Sequence, residues 1–135
     1  MPLFLIVADG ARFDTIDAAS RAGTAAALPA LSRLRSEGAL APVATAFPSV
    51  TGIAYAPFLT GRFPGPAGLP GLRWFDRAHV RCPRPPYARS YLGTQMRHLD
   101  EDLAPHIPTL FELAPSRFNA MSMLGRGTSR RERIG

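Results

Sequence analysis

Residues 3–8 form an unbroken apolar run that stops at Asp9-Gly10. A short run of this kind reads as a parallel strand buried on both faces, with a functional turn at its carboxyl end. Residues 14–22 follow as a helix with an acidic first turn. Leu28, Leu31 and Leu34 then recur at spacing three, and Pro29 near the first turn and Gly38 just past Glu37 bracket a second, amphipathic helix. Residues 40–47, rich in Val, Ala and Thr, predict a second strand. Pro48-Ser49-Val50 leads from it into Thr51-Gly52. Residues 53–59 predict a helix packed on the sheet, short or kinked because Pro57 lies inside it, and stopped by Thr60-Gly61.

Beyond this point the pattern loosens. Residues 61–71 are a Gly/Pro loop, residues 73–76 an edge-like segment and residues 77–89 an irregular, proline-rich stretch. A helix is expected over residues 109–113, between Pro108 and Pro115, and a buried strand over residues 119–124. A polar, basic loop follows to residue 135. Strands alternating with helices predict an α/β fold, a mainly parallel sheet flanked by helices. Only about three strands are legible, fewer than a doubly wound sheet uses. The expectation is therefore that residues 1–135 are the N-terminal part of one larger domain, with an incomplete sheet.

Composition changes this picture little. The chain has 135 residues, 46% of them hydrophobic, which suits a globular domain and not a disordered one. Its formal charge is +6, and all 16 basic residues are Arg. That balance reads most simply as coding bias, although Arg also forks readily onto phosphate oxygens. The basic cluster from Arg126 to Arg133 lacks interleaved aromatics and contains Glu132, so a solvated loop is expected there and nucleic acid is not expected as a partner. Cys82 is the single cysteine and can form no intramolecular disulfide. The apolar start has no basic segment before it and is too short to span a bilayer. The sequence thus predicts a soluble, cytoplasmic chain without a membrane segment; a start codon further upstream would allow a periplasmic one.

Two places could carry chemistry. Asp9 ends the first strand, and ligand sites in parallel α/β sheets collect at the carboxyl edge. Its carboxylate could hold a divalent metal, or could simply cap the turn before Gly10. Thr51 follows the second strand at an expected helix start. Free backbone N–H groups and the positive dipole end there would favour a phosphate, but a threonine in this place could equally be an ordinary cap.

Taken together, the pieces resemble a known family. Asp9-Gly10 comes first, then Leu31-Ser32-Arg33-Leu34-Arg35-Ser36-Glu37-Gly38, then Phe47-Pro48-Ser49-Val50-Thr51-Gly52. Leu59-Thr60-Gly61-Arg62-Phe63-Pro64 and Gly68-Leu69-Pro70-Gly71-Leu72-Arg73-Trp74-Phe75-Asp76 complete the series. In this order and spacing they resemble the opening of the nucleotide pyrophosphatase/phosphodiesterase family of the alkaline phosphatase superfamily, well over the first part of the chain, through Asp76 and a few residues past it, and more loosely over the rest. The resemblance implies an alkaline-phosphatase-like α/β fold and hydrolysis of a small phosphate ester. It implies Asp9 as a metal ligand, Thr51 as a nucleophile whose oxygen also meets the metal, and Gly52 as a backbone N–H donor to the phosphoryl group. It also implies two divalent metal ions, zinc in the family, roughly 4 Å apart. Metal coordination would activate the weakly nucleophilic hydroxyl, a phosphothreonine would form, and metal-bound water would hydrolyse it.

There are departures. Where the family often has a phosphate-binding Asn, this chain has Leu72, with Arg73 beside it as the candidate replacement. His79, His98 and His106 match none of the family's later Asp-His and His ligand motifs, so the chain alone is expected to lack a full metal site and to be inactive. A sulfatase is disfavoured, because Thr51-Gly52-Ile53-Ala54-Tyr55 lacks the Cys/Ser-x-Pro-x-Arg setting. A phosphotransferase of the same superfamily, and a truncated or decayed member without catalysis, are the remaining alternatives.

Overall fold

Both helices expected from leucine spacing and end signals near the start of the chain form. In the computed structural model, which describes residues 2–21, 28–77 and 88–134, α1 covers Phe13–Arg21 and α2 covers Pro29–Glu37. They belong to the first of two compact units, Met1–Ala44 and Thr45–Gly135. α1 carries Asp14 in its first turn, and Pro29 occupies the first turn of α2, where a missing N–H costs nothing. The two helices are joined through Asp17, whose Oδ1 accepts from Arg21 Nε at 2.9 Å and Arg35 Nη1 at 2.6 Å; Arg35 also reaches the Ser20 hydroxyl. On the surface of α2, Arg33 and Glu37 pair one turn apart at 2.8 Å.

The first expected strand does not form a ladder. Residues 3–8 belong to no sheet, and Leu3, Phe4, Leu5, Ile6 and Val7 are all exposed, Ile6 by 86%. A strand has no internal hydrogen bonds and exists only beside a partner, and no described segment of this unit is a strand. Residues 40–47 likewise join no sheet. The mainly parallel sheet is therefore not what the described residues form. They contain two small two-stranded sheets, both in the second unit. β1 (Arg73–Phe75) pairs antiparallel with β2 (Ala88–Ser90), Trp74 opposite Arg89. Far along the chain, β3 (Asn119–Ala120) pairs parallel with β4 (Arg133–Ile134).

The second unit holds a real core: Ile53, Ala56, Leu59, Ala67, Leu69, Tyr91, Leu99, Leu103, Ile107 and Leu124 form one buried cluster. A 3-10 turn, Ile53–Tyr55, runs into α3, Ala56–Thr60, and contributes three of these residues through their inward face. Pro57 is tolerated because it sits in the first turn of α3, so the helix is short and not kinked mid-way. Gly61 ends it in the left-handed conformation, φ 65°, with its amide on the Pro57 carbonyl at 2.9 Å. A 3-10 turn, Gly93–Arg97, and α4, His98–Asp102, were not legible in advance; α4 is held by Leu99, with Leu103 just past its end.

The last helix, α5 (Leu110–Leu113), lies between Pro108 and Pro115 as expected and starts with a capping box. The Thr109 amide donates to Glu112 Oε2 at 2.7 Å, and the Glu112 amide donates to Thr109 Oγ1 at 3.2 Å. Thr109 is fully buried, and its hydroxyl donates a hydrogen bond to the Arg126 carbonyl at 2.7 Å. The strand expected over residues 119–124 is only two residues long. Met121 has φ 60°, a left-handed kink that no strand continues through.

Surroundings of Thr51 and the candidate site

Thr51 lies on the turn just before the Ile53–Tyr55 helix, and it is exposed while its successors are not. Gly52 is buried and Ile53 is 0% exposed at the centre of the core. The hydroxyl residue is thus presented from a loop pinned from behind. Further bonds hold the loop: Val50 N donates to Pro48 O, and Ala54 N to Val50 O, each at 2.9 Å. The cap position of this helix is Gly52, not Thr51. The ordinary cap role considered for Thr51 is one residue out of register. The extended helix N-terminus expected there is also replaced, by a three-residue 3-10 turn leading into a five-residue helix. A dipole of that length offers a phosphate little, so the loop itself must carry any anion contact.

Gly52 takes φ 86° and ψ −59°, a region close to the rare γ-turn that is costly for any residue with a side chain. A side chain here would also have to displace the end of Met123. A Cβ placed on Gly52 would stand 2.4 Å from Met123 Sδ and 3.1 Å from its Cε. Met123 comes from the turn after β3 and packs on the core beside Leu124.

Arg73 opens β1 as an exposed residue in register with Ser90. Leu72 behind it is half-buried against the core, and its carbonyl accepts from the Tyr91 amide at 3.0 Å. The position at which an Asn was sought therefore serves packing. The same hairpin carries an ionic cluster that sequence reading missed. Arg89 pairs with Asp102 and, at 3.5 Å, with Asp76, while the Tyr91 hydroxyl donates to Asp102 Oδ2 at 2.8 Å. Trp74 and Tyr91 rings meet at 4.8 Å. Burial, followed by the hydrogen bond to Asp102, drives the Tyr91 phenol far above its usual range, so it acts only as a donor. This cluster ties the hairpin to α4.

The basic tail is only partly the solvated loop expected of it. Arg126 is half-buried and donates Nη1 to the Leu103 carbonyl at 2.8 Å and Nη2 to the Ile107 carbonyl. Asp100 Oδ1 accepts from the Gly125 and Arg126 amides at 2.7 and 2.9 Å, and Arg133 meets its other oxygen at 2.9 Å. The only advance signal was the alternation of Asp100 and Asp102 on α4 with distant arginines, which spacing alone cannot pair.

Asp9 lies in the first unit, exposed, in the turn that ends the apolar run. Thr51, Gly52 and Arg73 lie in the second. Among the described residues no group of three His, Cys, Asp or Glu side chains stands close enough to hold a metal. His98 Nδ1 is instead 2.5 Å from Glu101, which that hydrogen bond keeps below the usual carboxylate range. His79 and Cys82 fall outside the described residues. Also among the described residues, no helix is long and apolar enough to cross a membrane.

Comparison with known families gives one result. The family described as type I phosphodiesterase / nucleotide pyrophosphatase matches residues 3–88, more than half of the chain. No curated protein and no solved structure matches it.

Proposed function

Since the chain belongs to the type I phosphodiesterase / nucleotide pyrophosphatase family, we propose that it contributes the nucleophile loop of a phosphate-ester hydrolase, with Thr51 as the attacking residue. The family acts on phosphate esters and is generally metal-dependent. One observation carries the assignment of Thr51: it is exposed between a buried Gly52 and a fully buried Ile53, inside the matched segment. A nucleophile needs to be reachable and held in place, and an exposed Thr51 followed by buried Gly52 and Ile53 supports that reading.

In this reading the Thr51 Oγ1 attacks phosphorus, the bond to the leaving alcohol breaks, and water then releases phosphate or a phosphomonoester from the phosphothreonine. Gly52 offers its backbone N–H to a phosphoryl oxygen, and Arg73 its guanidinium in the place of the family's Asn. Asp9 would be a ligand of one of two divalent metal ions, zinc by the family resemblance, whose chemistry would be to activate the hydroxyl. The described residues do not make up that metal site by themselves. Residues 1–135 are, in the same reading, the N-terminal part of a single alkaline-phosphatase-like catalytic domain whose sheet is mainly parallel.

The test is turnover of bis(p-nitrophenyl) phosphate, with zinc, by the full-length polypeptide carrying these residues. Thr51→Ala should lower kcat by about a thousandfold or more, as loss of a covalent nucleophile does, with thermal unfolding unchanged. Thr51→Ser should keep part of the activity because a hydroxyl remains. Undiminished turnover by the alanine variant would remove Thr51 from the reaction. Absence of turnover from every form would favour a family member without catalysis.

A further inference from the structure

The segment after β3 lies outside the stretch that matches the family, yet it closes on the residue next to Thr51. We propose that Met123 is a positioning residue for the Thr51 loop: its thioether seats the backbone of Gly52 and so fixes the direction of the Gly52 amide and the Thr51 hydroxyl. The proposal rests on the reading of Thr51 as nucleophile.

Three observations support it. The first is contact. Met123 Sδ, Cε and Cγ would all lie within 3.5 Å of a Cβ on Gly52, so the side chain occupies the space where that Cβ would stand. The second is need. Gly52 at φ 86° and ψ −59° holds a conformation open to glycine and costly for other residues, so it has no side chain of its own to fix the loop and depends on its neighbours for that. On the following side Ile53 is anchored in the core; on the face of Gly52 itself the neighbour is Met123.

The third is rigidity of the support. A floppy methionine turn could not hold a glycine in place. Here Asn119, buried, donates to the Leu124 carbonyl at 3.3 Å, and the Ser122 hydroxyl donates to the same oxygen at 2.9 Å. Leu124 is 1% exposed in the core. The Met121 amide is bound to the Ile134 carbonyl at 2.7 Å, and the Gly125 and Arg126 amides to Asp100. Met123 thus projects from a turn fixed on both sides. An unbranched thioether suits the task, because it fills an irregular gap against bare backbone without a branch to clash.

A shift of the loop by a fraction of an ångström should act on turnover more than on substrate affinity, since alignment of the nucleophile is used in the transition state. The experiment compares wild type, Met123→Ala, Met123→Leu and Thr51→Ala in the full-length polypeptide, with bis(p-nitrophenyl) phosphate as substrate and zinc present. Met123→Ala should lower kcat by about tenfold or more with KM changed less than about twofold, and Met123→Leu, which refills most of the space, should restore most of the loss. If alanine prevents folding, Met123→Val replaces it: it keeps a core-facing body but withdraws the Sδ and Cε atoms that stand nearest Gly52, and a kcat loss in the same direction is expected. Full kcat in a folded Met123→Ala or Met123→Val variant, alongside an inactive Thr51→Ala, would overturn the role of Met123 while leaving Thr51 in place. A rise in KM alone would also overturn it. Activity in Thr51→Ala would instead remove the reading on which the proposal stands.

Discussion

The two units of this chain contain similar apolar segments and use them differently. In residues 2–44 no described residue is buried, and Leu3, Phe4, Ile6 and Val43 are among the most exposed side chains of the molecule. Among the described residues of 45–134, ten apolar residues enclose one core, with Ile53, Tyr91 and Leu99 at 0% exposure. The difference is not hydrophobicity. It lies in how each segment satisfies its backbone. The second unit builds from short turns and helices that bond locally, such as Leu103 N to Leu99 O at 3.2 Å, and so can bury leucines with few neighbours. The first unit begins with a run suited to the middle of a sheet, and such a run can bury nothing until strands flank it. A core of local elements closes by itself, while a central parallel strand waits on contacts distant in sequence.

The largest effect expected from this contrast is in amide hydrogen exchange of the 135-residue chain. The amides of residues 3–7 should exchange close to the rate of an unfolded peptide. Those of Tyr91, bonded to Leu72 O, and Ala104, bonded to Ala67 O at 2.9 Å, should be slower by at least about a thousandfold. Equal protection in the two sets would show that residues 3–7 find a partner, and would erase the distinction.

Core truncation is a second way to break it. Leu99→Ala removes a fully buried side chain packed in the second unit and should cost about 2–5 kcal/mol, including the cavity left behind. Leu34→Ala, on α2 with the side chain 65% exposed, should stay within about 0.5 kcal/mol. Denaturant unfolding measures both. A comparable loss for Leu34 would mean that its exposed face is covered.

The same contrast explains what the sequence made legible. Helices α1, α2 and α5 were readable because their signals are local: an acidic first turn, and prolines and a glycine at the ends. The β1 segment was readable from its composition. Thr51 and Gly52 could be singled out as candidates because the motif is contiguous. What could not be read was whatever depends on a partner far along the chain. Residues 3–8 carry a strand signal but not its neighbours. Arg126 looks like one more basic residue in a tail, although Leu103 and Ile107 carbonyls draw it in. Met123 is separated from Gly52 by most of the second unit, and no spacing rule joins them. Asp9 and Arg73 remain candidates on the strength of position in the motif.

The smallest effect concerns how each unit holds its carboxylates. Asp14 in the first unit sits below its usual range, chiefly through the hydrogen bond from Arg12 and then through the Thr15 amide; its side chain is 63% exposed. Glu112 in the second unit is also held low. Burial pushes it upward, but the Thr109 amide and the Arg126 guanidinium outweigh that. Because its folded value is depressed, Glu112 adds stability that is complete above the unfolded value, near about 4.3, and is lost as pH falls through the folded one. Glu112→Gln should therefore lower stability at neutral pH and flatten its decline in acid. Salt separates the two residues. At about 1 M ionic strength the screening length is about 3 Å, so an exposed ion pair is weakened while a bond from a backbone amide is not. Carboxyl NMR titrations at low and high salt should show Asp14 returning toward its ordinary value and Glu112 staying low. Equal movement of both would mean that Glu112, like Asp14, depends on a surface charge, and that its capping box adds no more to the second unit than an exposed pair adds to the first.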